Sequence, residues 1–144
     1  VSIALRNREE ILLGVVYEVC RDGCFWTYKG APAYCNDRQI RVSQVAVPDE
    51  AFMAFGLPYE TEAYKPVFNR LIEGCYGHVA GIRVVGAAAA EAFTCPWDVA
   101  AGILLVQNAG GRVTDFSGGD SCYSGREVVA SNGKVHDFLL NLLG

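Results

Sequence analysis

The chain has 144 residues, 51% of them hydrophobic, and a formal net charge of −4. That length is enough for one domain with its own core, and an acidic balance without any run of Lys or Arg argues against a nucleic-acid-binding face. No stretch reaches the roughly 18–20 continuous apolar residues of a membrane helix, and no charged segment leading into an apolar one opens the chain as a signal peptide would.

The predicted elements begin at once. Val1-Ser2-Ile3-Ala4-Leu5 alternates like a strand with no lead-in, and Ser2 to Asn7, Ile11 to Cys20, Cys24 to Tyr28 and Gln39 to Ser43 read as strands. Arg8-Glu9-Glu10, Asp22-Gly23 and Asn36-Asp37 supply the turns between them, so the first part is an antiparallel meander. A strand near Phe52 to Phe55 ends at Gly56-Leu57-Pro58. From Glu60 to Gly74, Tyr64, Val67, Phe68, Leu71 and Ile72 recur at helical spacing, which predicts a helix with one buried stripe and with Pro66 in or near its first turn.

After that helix the pattern alternates. Ile82 to Val85 and Glu91 to Thr94 are predicted strands, Val99 to Ala109 a buried helix closed by Gly110-Gly111, Arg112 to Asp115 and Glu127 to Ala130 strands, and Val135 to Leu143 a final helix. A meander followed by alternating strands and helices describes a layered α/β (α+β) architecture. Residues 1–58 form the meander sheet and residues 59–144 the α/β half, within one structural unit. A mean hydropathy of +0.20 is high for a domain of this size, so some apolar surface is expected to lie under segments outside these residues.

Six cysteines make no C-x-x-C pair and no Cys/His cluster of zinc-site form. Cys20 and Cys24 bracket a turn and could form a disulfide, although two reduced thiols are the simpler reading. His78 and His136 have neither metal-ligand spacing nor a nucleophile beside them, which leaves surface or helix-packing roles. Lys29 reads as part of a strand end, and Trp97 as a side chain packing a helix start against the sheet.

The most informative stretch is Pro96-Trp97-Asp98-Val99-Ala100-Ala101-Gly102. It places a carboxylate at a helix start, where the unpaired N–H groups and the positive helix end favour a capping Asp and also attract phosphate. Asp98 is therefore a cap, a ligand, or both. Together with Gly14-Val15-Val16-Tyr17, Phe25-Trp26-Thr27-Tyr28-Lys29-Gly30, Ile40-Arg41-Val42-Ser43, Gly81-Ile82-Arg83-Val84-Val85-Gly86-Ala87-Ala88, Ala109-Gly110-Gly111-Arg112-Val113-Thr114-Asp115 and Val129-Ala130-Ser131-Asn132, the stretch makes the chain, from Val1 to Leu143, resemble the later part of the inositol monophosphatase family of magnesium-dependent, lithium-sensitive phosphatases.

The resemblance implies the alternating helix and sheet layers of the sugar phosphatase fold, incomplete at the N-terminus and between Ala88 and Glu91, where the family carries a further helix and turn. It implies that Asp98 is a ligand to Mg²⁺, that Glu91, seven residues earlier, hydrogen-bonds substrate hydroxyls, and that Gly86, Ala87 and Ala88 let the backbone approach the substrate. Ala87 stands where the family has Ser or Thr, so one hydroxyl contact is expected to be absent. The family's Glu-Glu pair and Asp-Pro-Ile/Leu-Asp-Gly-Thr run occur nowhere in these residues, so no catalytic base is assigned here and the isolated chain is expected to be inactive. The implied substrate is a small-molecule phosphate monoester, with no nucleic acid and no membrane as partner, a homodimer in the complete enzyme, and a cytoplasmic location. A non-catalytic structural or interaction module is the alternative, and within enzymes a nucleotide 3′-phosphatase or a fructose bisphosphatase.

Overall fold

A computed structural model of the chain describes residues 1–56, 61–84, 90–92, 95–124 and 126–144. The meander folds as expected into a sheet whose strands follow sequence order, all antiparallel: β1 (Ser2–Arg6), β2 (Ile11–Glu18), β3 (Gly23–Tyr28), β4 (Tyr34–Cys35) and β5 (Arg38–Gln39). Strand periodicity sorts its side chains. Ala4 stands opposite Gly14, and Gly14 opposite Thr27, so small residues meet on a face that also carries Val16 and Phe25. Ile3 and Leu5 point the other way and are 57% and 58% exposed. On that outer face Trp26 and Tyr34 stack with centroids 4.7 Å apart.

The predicted strand from Gln39 to Ser43 is a correction: pairing stops at Gln39. The Ile40 N–H still meets the Ala33 carbonyl at 2.8 Å, one step further along the β4–β5 register, but the Val42 N–H bonds the Ala109 carbonyl at 3.0 Å, so the chain has left the first sheet by Val42. It enters a second sheet of strand order β7-β6-β8-β10-β9, with β6 (Phe52–Phe55), β7 (Gly81–Val84), β8 (Ala90–Ala92), β9 (Arg112–Thr114) and β10 (Glu127–Ser131). Strand β6 runs parallel to β7 and β8, and β10 runs antiparallel to β8 and β9. The passage from one sheet to the other therefore lies between Gln39 and Phe52, ahead of residue 58.

Helix α1 (Thr61–Cys75) buries Phe68, Leu71 and Cys75 against the second sheet. Pro66 is its sixth residue and so lies in the second turn, not the first. The ring removes the N–H that would meet the Glu62 carbonyl, and the helix is held by its buried stripe instead. Ile72 falls outside that stripe and is 41% exposed. Helix α3 (His136–Leu143) packs beside α1 through Leu139 and Leu143.

Helix α2 (Pro96–Asn108) is the centre of the molecule. Ala100, Ile103 and Leu104 share one core with Ile11 of the first sheet and with Val113 and Val128 of the second. The adjacent Val129 points into the other core, with α1 and α3. Four layers result: sheet, α2, sheet, and the α1/α3 pair. Gly14 brings α2 close, because a Cβ there would lie 2.8 Å from the Ala101 carbonyl oxygen. At the far end the Asn108 amide donates to Thr27 Oγ1 at 2.8 Å and to the Tyr28 carbonyl at 3.0 Å. Gly110, with φ +90°, ends the helix in the left-handed conformation that glycine adopts without steric cost. Among the described residues no helix is long and apolar enough to cross a membrane.

Candidate metal and substrate site

Pro96 fixes the local geometry. Its ring presets helical φ and suits the first helical position, so the N-cap falls on Cys95 and Asp98 takes the third position of the first turn. Asp98 is thus not the N-cap residue. It reaches back instead: the Cys95 N–H donates to Asp98 Oδ2 at 2.8 Å, while the Asp98 N–H bonds the Cys95 carbonyl at 2.9 Å. Cap and ligand roles are compatible, since one carboxylate oxygen serves the helix and no hydrogen bond engages Oδ1 among the described residues. The side chain is exposed. Trp97 beside it is 72% exposed, which corrects the expectation that it packs against the sheet. The buried positions of α2 are Ala100, Ala101, Ile103, Leu104 and Leu105, leaving Trp97 on the solvent side of the first turn. Asp98→Ala is expected to cost about 1 kcal/mol in urea unfolding, the usual loss for a helix-start carboxylate, whereas Asp98→Asn keeps an acceptor for the Cys95 N–H and should cost less.

The backbone of Glu91 lies in β8 opposite Val128 of β10, and the chain passes from the end of β8 to the α2 start. Gly86, Ala87 and Ala88 lie outside the described residues. Among the described residues no group of three or more His, Cys, Asp or Glu side chains gathers into a metal-binding cluster. Mg²⁺ takes oxygen ligands and is held through one or two carboxylates with water and substrate phosphate. Asp98, exposed and with no bond at Oδ1 among the described residues, fits as one such ligand, able to bind weakly and short of a complete site.

Next to the exit of β8 lies a polar groove of about 520 Å³, lined by Tyr64, Asp115, Asp120, Ser121, Tyr123, Ser124, Arg126 and Glu127. Glu127, opposite Ala92 in the sheet, accepts a 2.9 Å bond from the Tyr64 hydroxyl. Sequence reasoning missed Asp115 as an anchor here. Its Oδ1 accepts from the Ser117 N–H, the Ser117 hydroxyl and the Gly119 N–H at 2.7–2.9 Å, and its Oδ2 from the Ser121 N–H at 3.1 Å. Burial alone would raise its pKa, but these donors together hold it below the ordinary 3.8. The signal in the sequence is an Asp followed by Ser117 and Gly118-Gly119, an Asx-turn pattern.

His78 is exposed and His136 fully buried at the start of α3, in line with surface and helix-packing roles. All six cysteines are free thiols, Cys20 and Cys24 included. Burial pushes the Cys75 and Cys122 thiols up in pKa, which makes them poor nucleophiles.

A helix held between two sheets, with an exposed carboxylate in its first turn and two further helices closing the second sheet, defines a layered α/β protein. The chain belongs to the inositol monophosphatase family, whose sequence profile matches residues 1–143. It is 31% identical to an inositol-1-monophosphatase of Mesorhizobium japonicum, over 97% of this chain and 58% of that protein. It is 30% identical to a fructose-1,6-bisphosphatase/inositol-1-monophosphatase of Thermotoga maritima, over 99% of this chain and 59% of that protein. The crystal structure of the extragenic suppressor protein suhB from Bartonella henselae superimposes with a TM-score of 0.90 at 31% identity, covering 99% of this chain and 61% of the other. The chain thus spans about three fifths of the length of these relatives. The first two alignments run over 154 and 157 positions, more than the 144 residues present, so the relatives carry internal residues that this chain lacks.

Proposed function

We propose that these residues form the Asp98-bearing part of a magnesium-dependent phosphomonoesterase that hydrolyses inositol monophosphate or a similar polyol or sugar phosphate. The observation that carries the reading is the exposed Asp98 carboxylate, held by the Cys95 N–H in the first turn of a helix locked between two sheets, in a chain of this family. Asp98 would hold one Mg²⁺ ion. When bound, the metal supplies activation of water and neutralisation of charge on the phosphate and leaving alkoxide. Asp98 is fixed in direction, because its helix-bound oxygen cannot swing away without breaking the bond to Cys95. The positive end of α2 favours the substrate's phosphate. Glu91 would accept hydrogen bonds from neighbouring hydroxyls of the polyol, with Gly86, Ala87 and Ala88 leaving room for its ring. The complete enzyme would be a cytoplasmic homodimer.

A fructose bisphosphatase activity in the same site is favoured by the Thermotoga relative, whose name carries both activities. The module reading draws on the exposure of Trp97, Ile3 and Leu5.

Titration calorimetry with Mg²⁺ tests the proposal. The folded 144-residue chain is expected to bind Mg²⁺ weakly, and Asp98→Asn to abolish the heat while leaving the circular dichroism unchanged. Equal binding by both proteins, or none by a folded wild type, would favour the module reading. With one carboxylate in place, the isolated chain is expected to release no phosphate from inositol monophosphate at any Mg²⁺ concentration. Magnesium-dependent turnover that persists through repurification would overturn that expectation.

A further inference from the structure

His136 opens α3, and its imidazole is 0% exposed. Both ring nitrogens are engaged, Nε2 with Thr114 Oγ1 of β9 and Nδ1 with Ser131 Oγ of β10, each at 2.9 Å. The proton positions follow from the neighbours. The Thr114 hydroxyl donates to the Asp115 carbonyl at 2.8 Å, so it can only accept from the ring, and Nε2 carries the hydrogen. Nδ1 then accepts from the Ser131 hydroxyl, whose oxygen receives the Gly133 N–H at 2.9 Å. Every hydrogen in this chain is committed, and the set closes only around a neutral imidazole.

A second proton on the ring has no acceptor ready for it. Nδ1–H would oppose the Ser131 hydroxyl hydrogen, which would have to turn away from the ring. The cation would also sit in the first position of a helix, at its positive end. The charged groups around it do not compensate. Arg112 of β9 repels it, and Asp137 of α3, the one carboxylate favouring the charge, is tied to Arg112 at 2.8 Å with its side chain 83% exposed. Asp115, beside Thr114, directs its carboxylate into its own turn, and Lys134 reaches away to the Gln44 carbonyl. On α1, Arg70 contacts only the far end of α3, at the Leu143 carbonyl.

We propose that His136 is an acid-sensitive clasp, whose protonation releases the start of α3 from β9 and β10 while the two sheets remain folded. The released imidazolium gains water, and Ser131 and Thr114 gain it as well, so the open form is the one that binds the proton. Burial, then the nearby Arg112, lowers the ring's pKa from its ordinary 6.5 against a smaller opposing effect of Asp137. A depressed histidine pKa means that the closed state is fully favoured above about pH 6.5 and loses ground as pH falls from there towards the folded value.

Amide hydrogen exchange on the full chain between pH 7.5 and 5.0, corrected for the intrinsic rate, tests the clasp. Protection at Leu139, Leu140 and their α3 neighbours is expected to fall by up to tenfold per pH unit below about 6.5, while amides of β2 and β3 hold theirs. The His136 ring resonances should titrate together with that loss. His136→Gln, which cannot take up a proton, should show pH-independent α3 protection. If that variant fails to fold, the concurrence of ring titration and α3 exchange in the wild type decides alone. Unchanged α3 protection across the range, or a loss shared equally by β2 and β3, would overturn the proposal.

Discussion

Asp115→Ala is expected to lower the unfolding free energy by about 2–3 kcal/mol, the order for removing a partly buried acceptor from several donors at once. The carboxylate shapes the turn from Asp115 to Ser121, and that turn delivers the fully buried Cys122 to the core shared with α2. Without it the N–H groups of Ser117, Gly119 and Ser121 must find water, and the polar groove beside β8 loses its wall. The effect should be readable as a lower urea midpoint with an unchanged slope. A pH series separates the charge from the shape. Since the folded pKa lies below the unfolded 3.8, the ionised group contributes stability in full above about pH 4, and the contribution drains away as pH falls through the folded value. Asp115→Asn should lack that acid limb. An acid limb of equal depth in Asp115→Asn would remove Asp115 from the account.

Gly14→Ala is expected to cost about 3 kcal/mol, at the upper end of single-methyl overpacking. The added carbon would meet the Ala101 carbonyl oxygen at 2.8 Å and its Cα at 3.0 Å. Those are backbone atoms of a helix pinned at its far end by Asn108, so relief requires moving α2 and with it Asp98. Thermal unfolding should therefore begin roughly 10 °C lower, and any Mg²⁺ affinity at Asp98 should weaken in parallel. Gly102 supplies the control on the same helix. A Cβ there meets nothing within 4 Å among the described residues, so Gly102→Ala should stabilise by about 1 kcal/mol through helix propensity alone. Equal destabilisation by both substitutions would mean that close approach at Gly14 is not what sets the position of α2.

The sequence made the meander legible because each strand answers to its neighbour in sequence, and alternation such as Ile11 to Glu18 carries its own register. Helix α2 was legible for a different reason: Pro96 marks its start and Gly110 its end. What escaped was decided by partners far along the chain. Gln39 to Ser43 alternates like a strand, yet the Val42 N–H goes to Ala109, a contact that no local pattern announces. Trp97 reads as core by its type, but the first turn of α2 leaves it outside. Glu91 falls in a strand, as the alternating pattern predicts for Glu91 to Thr94, of which residues 93 and 94 lie outside the described residues. The anchoring by Asp115 and the double bonding of His136 depend on hydroxyls and N–H groups that periodicity ignores.

The position of α2 between the sheets also sets an order of events during synthesis. Among the described residues the strands of the meander end at Gln39, whereas the helix that covers its inner face spans Pro96–Asn108. A chain emerging from its N-terminal side can close the first sheet by short hairpins long before that cover exists. On the waiting face Ala4, Gly14 and Thr27 are small or polar, but Val16 and Phe25 share that face and Ile11 belongs to the core with α2. The small residues let α2 approach, while these apolar side chains find their full cover only once α2 has been made.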